Sequence, residues 1–137
     1  MKKVLVSDTL SPEGIEIFRN APGIEVDVMT SLTPDELKAV IKNYDGLAVR
    51  SASKITADVI AGAEKLAVIG RAGIGLDNVD AEAASKRGIV VMNTPGGNTI
   101  TTAEHAIAMM LSLARKIPQA TISMKDEKWQ KSAFMGS

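Results

Sequence analysis

Five short apolar segments recur at intervals of about twenty residues, and this spacing constrains the fold more than any other feature of the sequence. Each segment has four or five residues rich in Val and Ile, and most of them are continuously apolar. Strands with that pattern are covered on both faces, as in a parallel sheet. The five predicted strands are residues 3–7, 24–28, 46–49, 66–69 and 89–92.

Helix signals lie between these segments. Ser11 and Thr33 each precede a proline, which places a capping hydroxyl before a favourable first helical residue. Gly23 and Gly88 each follow a helical stretch and precede a strand. Strand and helix alternating at this interval predict right-handed crossover units. We therefore expect an α/β fold with a flavodoxin-like, doubly wound, five-stranded parallel sheet in the order 2-1-3-4-5.

The pattern changes after the fifth segment. Residues 99–115 are apolar over well more than half of a helical circumference, so a helix there needs partners on two sides. The sequence becomes polar over residues 121–131. These features predict two parts: a domain over residues 1–98, and a connector helix with a tail over residues 99–137.

The charge and the composition of the chain limit the classes of partner that it is expected to bind. Sixteen Lys and Arg residues balance sixteen Asp and Glu residues, and the chain has no Cys and one His. A net charge of zero gives no long-range field for nucleic acid or a membrane surface, so we expect neither partner. The missing thiols exclude a disulfide scaffold and a thiolate metal site, and we predict no metal. No signal peptide or membrane span is evident, which predicts a cytoplasmic protein.

Two arginines follow neighbouring predicted strands at the edge where open α/β sheets bind ligands. Arg50 follows the third segment, and Arg71 follows the fourth in a glycine-rich turn. Guanidinium groups match carboxylate and phosphate geometry, so the pair predicts a local anion site. Two alternatives stay open: surface ion pairs with Asp8, Asp77 or Asp80, and a tight loop without a ligand.

The glycine-rich turn does not match the dinucleotide fingerprint G-x-G-x-x-G, because Asn78 stands where the third glycine is required. Its glycines still allow an anion to approach bare backbone amides. An acid-base role for His105 would need a carboxylate to orient its imidazole. The adjacent Glu104 cannot do this, because neighbouring residues of a helix point in different directions. We therefore predict a structural role for His105.

Several segments, in order, carry a family resemblance. They include RSASK at 50–54, GRAGIGLDNVD at 70–80, GIVVMNTP at 88–95 and TAEHA at 102–106. In these segments the chain resembles the NAD-dependent D-isomer-specific 2-hydroxyacid dehydrogenases, and the resemblance extends over essentially all of its length. It implies that residues 1–98 form a substrate-binding domain for a small phosphorylated hydroxyacid.

The resemblance also implies roles for individual residues. Ile74 and Thr102 would border the nicotinamide end of NAD. It implies a separate Rossmann cofactor domain, not contained in this sequence, that carries the dinucleotide turn and the catalytic residues. We therefore expect no catalytic residue here, no turnover and no tight NAD binding by this chain alone, and a homo-oligomer formed through the connector helix. The implied substrate contacts are Arg50, Ser51, Arg71, the amides of Ala72 and Gly73, and Asn98.

A non-catalytic interpretation stays open beside this one. The chain would then be a flavodoxin-like module that self-associates, or binds a protein, through the apolar helix over residues 99–115. A phosphoacceptor receiver domain fits poorly, because the third predicted strand is followed by Arg50 where an aspartate is required. A flavin site is disfavoured by the scarcity of aromatic residues.

Overall fold

The computed structural model describes residues 1–135. It divides the chain into two compact units, Met1–Gly97 and Asn98–Ser137. The first unit contains a five-stranded sheet in which all paired strands are parallel and the order is β2-β1-β3-β4-β5. This confirms the predicted fold class and strand order. The strands are β1 (Lys2–Val6), β2 (Ile24–Val28), β3 (Gly46–Val49), β4 (Val68–Arg71) and β5 (Val90–Met92).

Four helices connect these strands: α1 (Pro12–Arg19), α2 (Pro34–Ile41), α3 (Ala57–Gly62) and α4 (Ala81–Lys86). The two predicted helix starts are confirmed. Ser11 Oγ accepts a hydrogen bond from the Gly14 amide at the start of α1. Thr33 and Glu36 form a reciprocal capping box at the start of α2. Each cap satisfies amides that the first helical turn leaves without an intrahelical acceptor.

The main core cluster lies on one face of the sheet. Leu5 pairs with Leu47, which pairs with Ile69, so one row of buried side chains crosses three adjacent strands. Leu37 and Ile41 of α2 are buried in the same cluster. This packing fixes the relative positions of the strands, and with them the loops that leave their carboxyl ends.

β4 ends two residues later than the sequence predicts, so Gly70 and Arg71 belong to the strand rather than to the turn. The reason is the ladder to β3, in which Val49 pairs with Arg71. A continuous parallel ladder tolerates Gly70 here, because the backbone hydrogen bonds and not the side chain define the strand.

The second unit contains α5 (Thr99–Ala114), α6 (Ile117–Lys125) and a 3₁₀ turn (Lys131–Phe134). α5 lies where the sequence predicts an apolar helix, and none of its residues is buried. α6 occupies part of the segment for which the sequence predicts only a tail. Within residues 1–135, no helix has the length and hydropathy needed to cross a membrane.

Candidate functional site

The two arginines of the predicted anion site leave adjacent strands at the same edge of the sheet. Arg50 directly follows β3, and Arg71 ends β4 as the register partner of Val49. The loop after β3 (residues 50–53) and the loop after β4 (residues 72–75) are therefore neighbours at the carboxyl end of the sheet. That is the position where open α/β sheets bind ligands.

Arg71 has the electrostatic features of an anion-binding residue. Its side chain is 12% exposed, and its nearest carboxylate oxygen is Asp77 Oδ1, 3.8 Å from Nη2. That separation is longer than a hydrogen bond, and Asp77 is largely exposed, so the ion pair is weak. Among residues 1–135, the buried Arg71 Nε has no hydrogen-bond partner. A nearly buried guanidinium with an unused donor gains most from an anionic ligand.

Gly73 is required by the position of the Arg71 side chain. A Cβ atom at residue 73 would overlap the Arg71 guanidinium, and Cζ would lie 2.8 Å from it. Glycine therefore lets the guanidinium lie directly against the loop backbone. The charge of Arg71 is held beside the amides of the same loop.

Two amides of this loop are already used within the chain. The Ala72 amide donates to the Val49 carbonyl at 2.8 Å, and the Gly73 amide donates to the Arg71 carbonyl at 2.9 Å. The resemblance assigned the substrate carboxylate to these two amides. Within the described residues, the amides of Ile74 and Gly75 donate to no acceptor. The loop therefore offers Ile74 and Gly75 as its unoccupied backbone donors.

The turn after β5 is tied to the same loop. The Thr94 amide donates to the Gly73 carbonyl at 3.0 Å, and Asn93 Nδ2 donates to the Ile74 carbonyl at 2.8 Å. Gly96 allows this turn to reverse, because its φ of 80° is unfavourable for other residues. The turn after β5 therefore helps to fix the backbone of the loop after β4.

Asp8, two residues beyond the end of β1, organises the loop after β3. It is 4% exposed, and its carboxylate accepts hydrogen bonds from three amides of that loop and from one hydroxyl. Burial alone raises the pKa of Asp8, but the hydrogen bonds from Ser53, Arg50 and Ala52 outweigh burial and lower the pKa below its ordinary value. The donors are Arg50 N (2.7 Å), Ala52 N (3.2 Å), Ser53 N (3.0 Å) and Ser53 Oγ (2.6 Å).

Asn78 holds the same loop through its carbonyls. Its Nδ2 donates to the Arg50 carbonyl at 2.8 Å and to the Ser53 carbonyl at 2.7 Å. The Arg50 guanidinium itself is exposed, and its Nη1 donates to the Thr9 carbonyl at 3.3 Å. Ser51 is exposed on the same loop. The side chains of Arg50 and Ser51 therefore project from a backbone segment whose amides are held by Asp8 and whose carbonyls are held by Asn78.

The three aspartates considered as ion-pair partners of Arg50 and Arg71 each have a different contact in the structure. Asp8 receives the Arg50 backbone amide instead of a guanidinium. Asp77 approaches Arg71 at 3.8 Å, and Asp80 Oδ1 accepts from the Ala83 amide as the cap of α4. Neither arginine has a close carboxylate partner among the described residues.

Asn98 and Thr102 belong to the second unit. Asn98 precedes α5 without a side-chain cap bond, and its carbonyl accepts from the Thr102 amide at 2.9 Å. The two residues are four apart, so they lie on one face of the first turn of α5. Their roles toward substrate and NAD, like those of Ile74, Arg50, Ser51 and Arg71, stay predictions.

The loop after β4 does not fit the pyrophosphate of a dinucleotide. Such a group binds where a glycine turn leads directly into a helix N-terminus, but α4 begins only at Ala81. Across residues 1–135, no group of three or more His, Asp or Glu side chains is placed to hold a metal ion. The geometry thus offers an anion site with arginine and amide donors.

Comparison with known proteins identifies the family of the chain. Residues 4–133 match the family model of the D-isomer specific 2-hydroxyacid dehydrogenase catalytic domain. The chain belongs to this family. The D-3-phosphoglycerate dehydrogenase of Archaeoglobus fulgidus is 53% identical over 134 residues, which are 98% of this chain and 25% of that protein. The chain thus spans about a quarter of the length of the curated relatives that it matches.

Two solved structures share the fold of this chain. The TT0316 protein from Thermus thermophilus has a TM-score of 0.84 and 34% identity, covering 98% of this chain and 44% of that one. The NAD⁺-bound 3-phosphoglycerate dehydrogenase of Entamoeba histolytica has a TM-score of 0.73 and 36% identity, covering 84% of this chain and 40% of that one.

Proposed function

We propose that this chain is the substrate-binding lobe of a D-3-phosphoglycerate dehydrogenase. The whole enzyme would oxidise 3-phospho-D-glycerate to 3-phosphohydroxypyruvate with NAD, as a cytoplasmic step of serine biosynthesis. The single observation that carries the proposal is Arg71, a nearly buried guanidinium with an unused donor beside two unoccupied amides. The similarity to relatives named D-3-phosphoglycerate dehydrogenase supports the choice of substrate.

The arrangement binds and orients a small acid. Arg71 and the amides of Ile74 and Gly75 would receive one anionic group, and Arg50 and Ser51 would approach the ligand from the neighbouring loop. Holding the acid in one orientation lowers the entropic part of the barrier to reaction. Hydride transfer requires NAD, whose nicotinamide end would border Ile74 and Thr102. We expect no turnover by this chain alone, because none of the described residues forms the glycine-rich turn that would bind the pyrophosphate of NAD.

The test is a titration of the chain with 3-phospho-D-glycerate, followed by amide chemical shifts. We expect the shifts of Arg71, Ile74 and Gly75 to move together, whereas the hydrogen-bonded amides of Ala72 and Gly73 move less. Arg50→Ala should weaken binding by about 1 to 3 kcal/mol if the guanidinium holds a charged oxygen. Arg19→Ala is the matched control, because within residues 1–135 the ion-pair partner of this exposed arginine is Glu16 on α1.

The outcomes separate the proposal from a loop without a ligand. Unchanged shifts throughout residues 70–75 at millimolar ligand would contradict the anion site. Equal losses in the Arg50 and Arg19 variants would show that the ligand responds only to net charge.

A second candidate function is favoured by α5. This helix is apolar around most of its circumference, and large side chains such as Leu111 and Leu113 are exposed. Exposed apolar surface of this kind marks protein interaction sites. We propose that the chain forms a homo-oligomer through α5, either within the whole dehydrogenase or as a non-catalytic module.

A further inference from the structure

The buried hydrogen-bond network under residues 50–53 supports an inference that rests on the proposed function. Arg50 is held at both of its backbone polar groups. Its amide donates to Asp8 Oδ2 at 2.7 Å, and its carbonyl accepts from Asn78 Nδ2 at 2.8 Å. A residue fixed at both of these groups presents its side chain from one direction.

The Asp8 carboxylate is suited to this role by its chemistry. An ionised carboxylate only accepts hydrogen bonds, and here three amides and one hydroxyl converge on it. An amide side chain of the same shape would offer one acceptor oxygen, and its NH₂ group would face backbone N–H donors. A carboxylate, with two acceptor oxygens and no donor, therefore matches all four donors of this loop.

Asn78 connects the two loops of the anion site. It follows the glycine-rich loop after β4 in the chain, yet its side chain holds two carbonyls of the loop after β3. Its own backbone carbonyl accepts from the Ile55 amide at 2.8 Å, just beyond the end of that loop. Asn78 is 4% exposed, so solvent does not compete for these bonds.

We propose that Asp8 and Asn78 are positioning residues of the substrate site. They hold residues 50–53 against the glycine-rich loop so that Arg50 and Arg71 bind the same acid ligand. Neither residue contacts the ligand itself. Their effect on affinity passes through the position of Arg50.

The test uses the full 137-residue chain with Asp8→Asn, and Asn78→Ala as the second variant. The dissociation constant for 3-phospho-D-glycerate is measured by amide shifts well below the unfolding temperature. We expect Asp8→Asn to raise it about tenfold, because a charged acceptor is lost from the loop. The Arg50, Ala52 and Ser53 amide protons should shift upfield in the absence of ligand.

A double-mutant cycle separates positioning from general destabilisation. In an Arg50→Ala background, Asp8→Asn should raise the dissociation constant by less than about twofold, because the side chain it positions is gone. In an Arg71→Ala background, the Asp8→Asn effect should persist. Asp45→Asn is the matched control, since Asp45 accepts from the Lys3 amide at the opposite end of the strands.

The outcomes distinguish this proposal from the proposed function. If the unsubstituted chain does not bind 3-phospho-D-glycerate, both are overturned. Suppose instead that the unsubstituted chain binds and that Arg71→Ala weakens the binding. If Asp8→Asn and Asn78→Ala then leave the affinity unchanged, only the positioning role is overturned. Equal effects of Asp8→Asn with and without Arg50, or an equal effect of Asp45→Asn, would also contradict it. When Asp8→Asn does not fold, the same cycle with Asn78→Ala decides.

Discussion

A methyl group at Gly73 would occupy the space that the Arg71 guanidinium fills. We expect Gly73→Ala to displace the end of a flexible side chain, so the free energy of unfolding should change by about 1 kcal/mol or less. Affinity for 3-phospho-D-glycerate should fall nearly as far as in Arg71→Ala. Urea unfolding and the amide-shift titration measure the two effects separately.

Gly14→Ala is the control for this substitution. Its added Cβ would lie 3.6 Å from Ser11 Oγ, which is an ordinary contact. Inside α1 this change should stabilise the chain by about 0.5 to 1 kcal/mol and leave affinity unchanged. Retained affinity in Gly73→Ala would mean that Arg71 binds no ligand from its observed position.

Tyr44 predicts a loss of stability in alkaline solution. Burial, followed by a 2.8 Å hydrogen bond to Asp27 Oδ2, raises the pKa of Tyr44 from 10.0 to about 12. The unfolded chain releases this proton near pH 10, whereas the folded chain keeps it until about pH 12. The stabilisation is therefore complete below pH 10 and is lost as the pH rises toward 12.

This prediction has a direct spectroscopic measurement, because Tyr44 is the single tyrosine of the sequence. Phenolate absorbance of the folded chain should rise near pH 12 rather than near pH 10. In Tyr44→Phe, the part of the alkaline stability loss between these two values should disappear. A folded chain that titrates near pH 10 would contradict the raised pKa.

At the scale of the element, α2 depends on its capping box. Thr33 Oγ1 accepts from the Glu36 amide at 3.3 Å, and Glu36 Oε2 accepts from the Thr33 amide at 2.8 Å. Because α2 supplies buried Leu37 and Ile41 to the core, fraying at its start weakens the whole unit. We expect Thr33→Ala to lower the free energy of unfolding in urea by about 1 kcal/mol.

Thr30→Ala provides the comparison, since Thr30 is exposed before this helix and caps nothing in the described residues. Its effect should stay within about 0.5 kcal/mol. Similar losses in both variants would show that the reciprocal bonds contribute little.

The strands and the first helices could be predicted because their signals are local. Val and Ile runs identify the strands, and Ser11 and Thr33 identify the helix starts. α6 has a proline in its first turn but no capping side chain, and Lys116 before it adopts a left-handed φ of 52°. Its apolar Ile122 and Met124 are exposed, so no apolar stripe marks a packed face.

Only part of the candidate site could be predicted from the sequence, because the rest depends on contacts between residues that are far apart along the chain. Strand ends place Arg50 and Arg71 at one edge. The partners of Asp8 lie more than 40 residues away along the chain, and Asp8 was therefore interpreted only as an ion-pair candidate. The use of the Ala72 amide by Val49 depends on a β3–β4 ladder that extends through Arg71, which a glycine-rich sequence does not reveal.

At the scale of the whole molecule, α5 predicts self-association. Leu113 is 78% exposed, and Ile107 and Leu111 are also exposed one turn apart. Burying such side chains against a second copy would gain about 1.5 to 3 kcal/mol for each one fully buried. We expect the sedimentation coefficient to rise with protein concentration, and the double variant Ile107→Lys with Leu111→Lys to sediment as a monomer.

The control is Ile17→Lys, which adds a charge at an exposed apolar residue of α1 in the other unit. It should leave association unchanged, because the contact is assigned to α5 and not to apolar exposure in general. An unsubstituted chain that stays monomeric at every concentration would contradict self-association through α5. Association that persists without 3-phospho-D-glycerate binding would instead favour the non-catalytic module, because the apolar helix would then function while the arginine site does not.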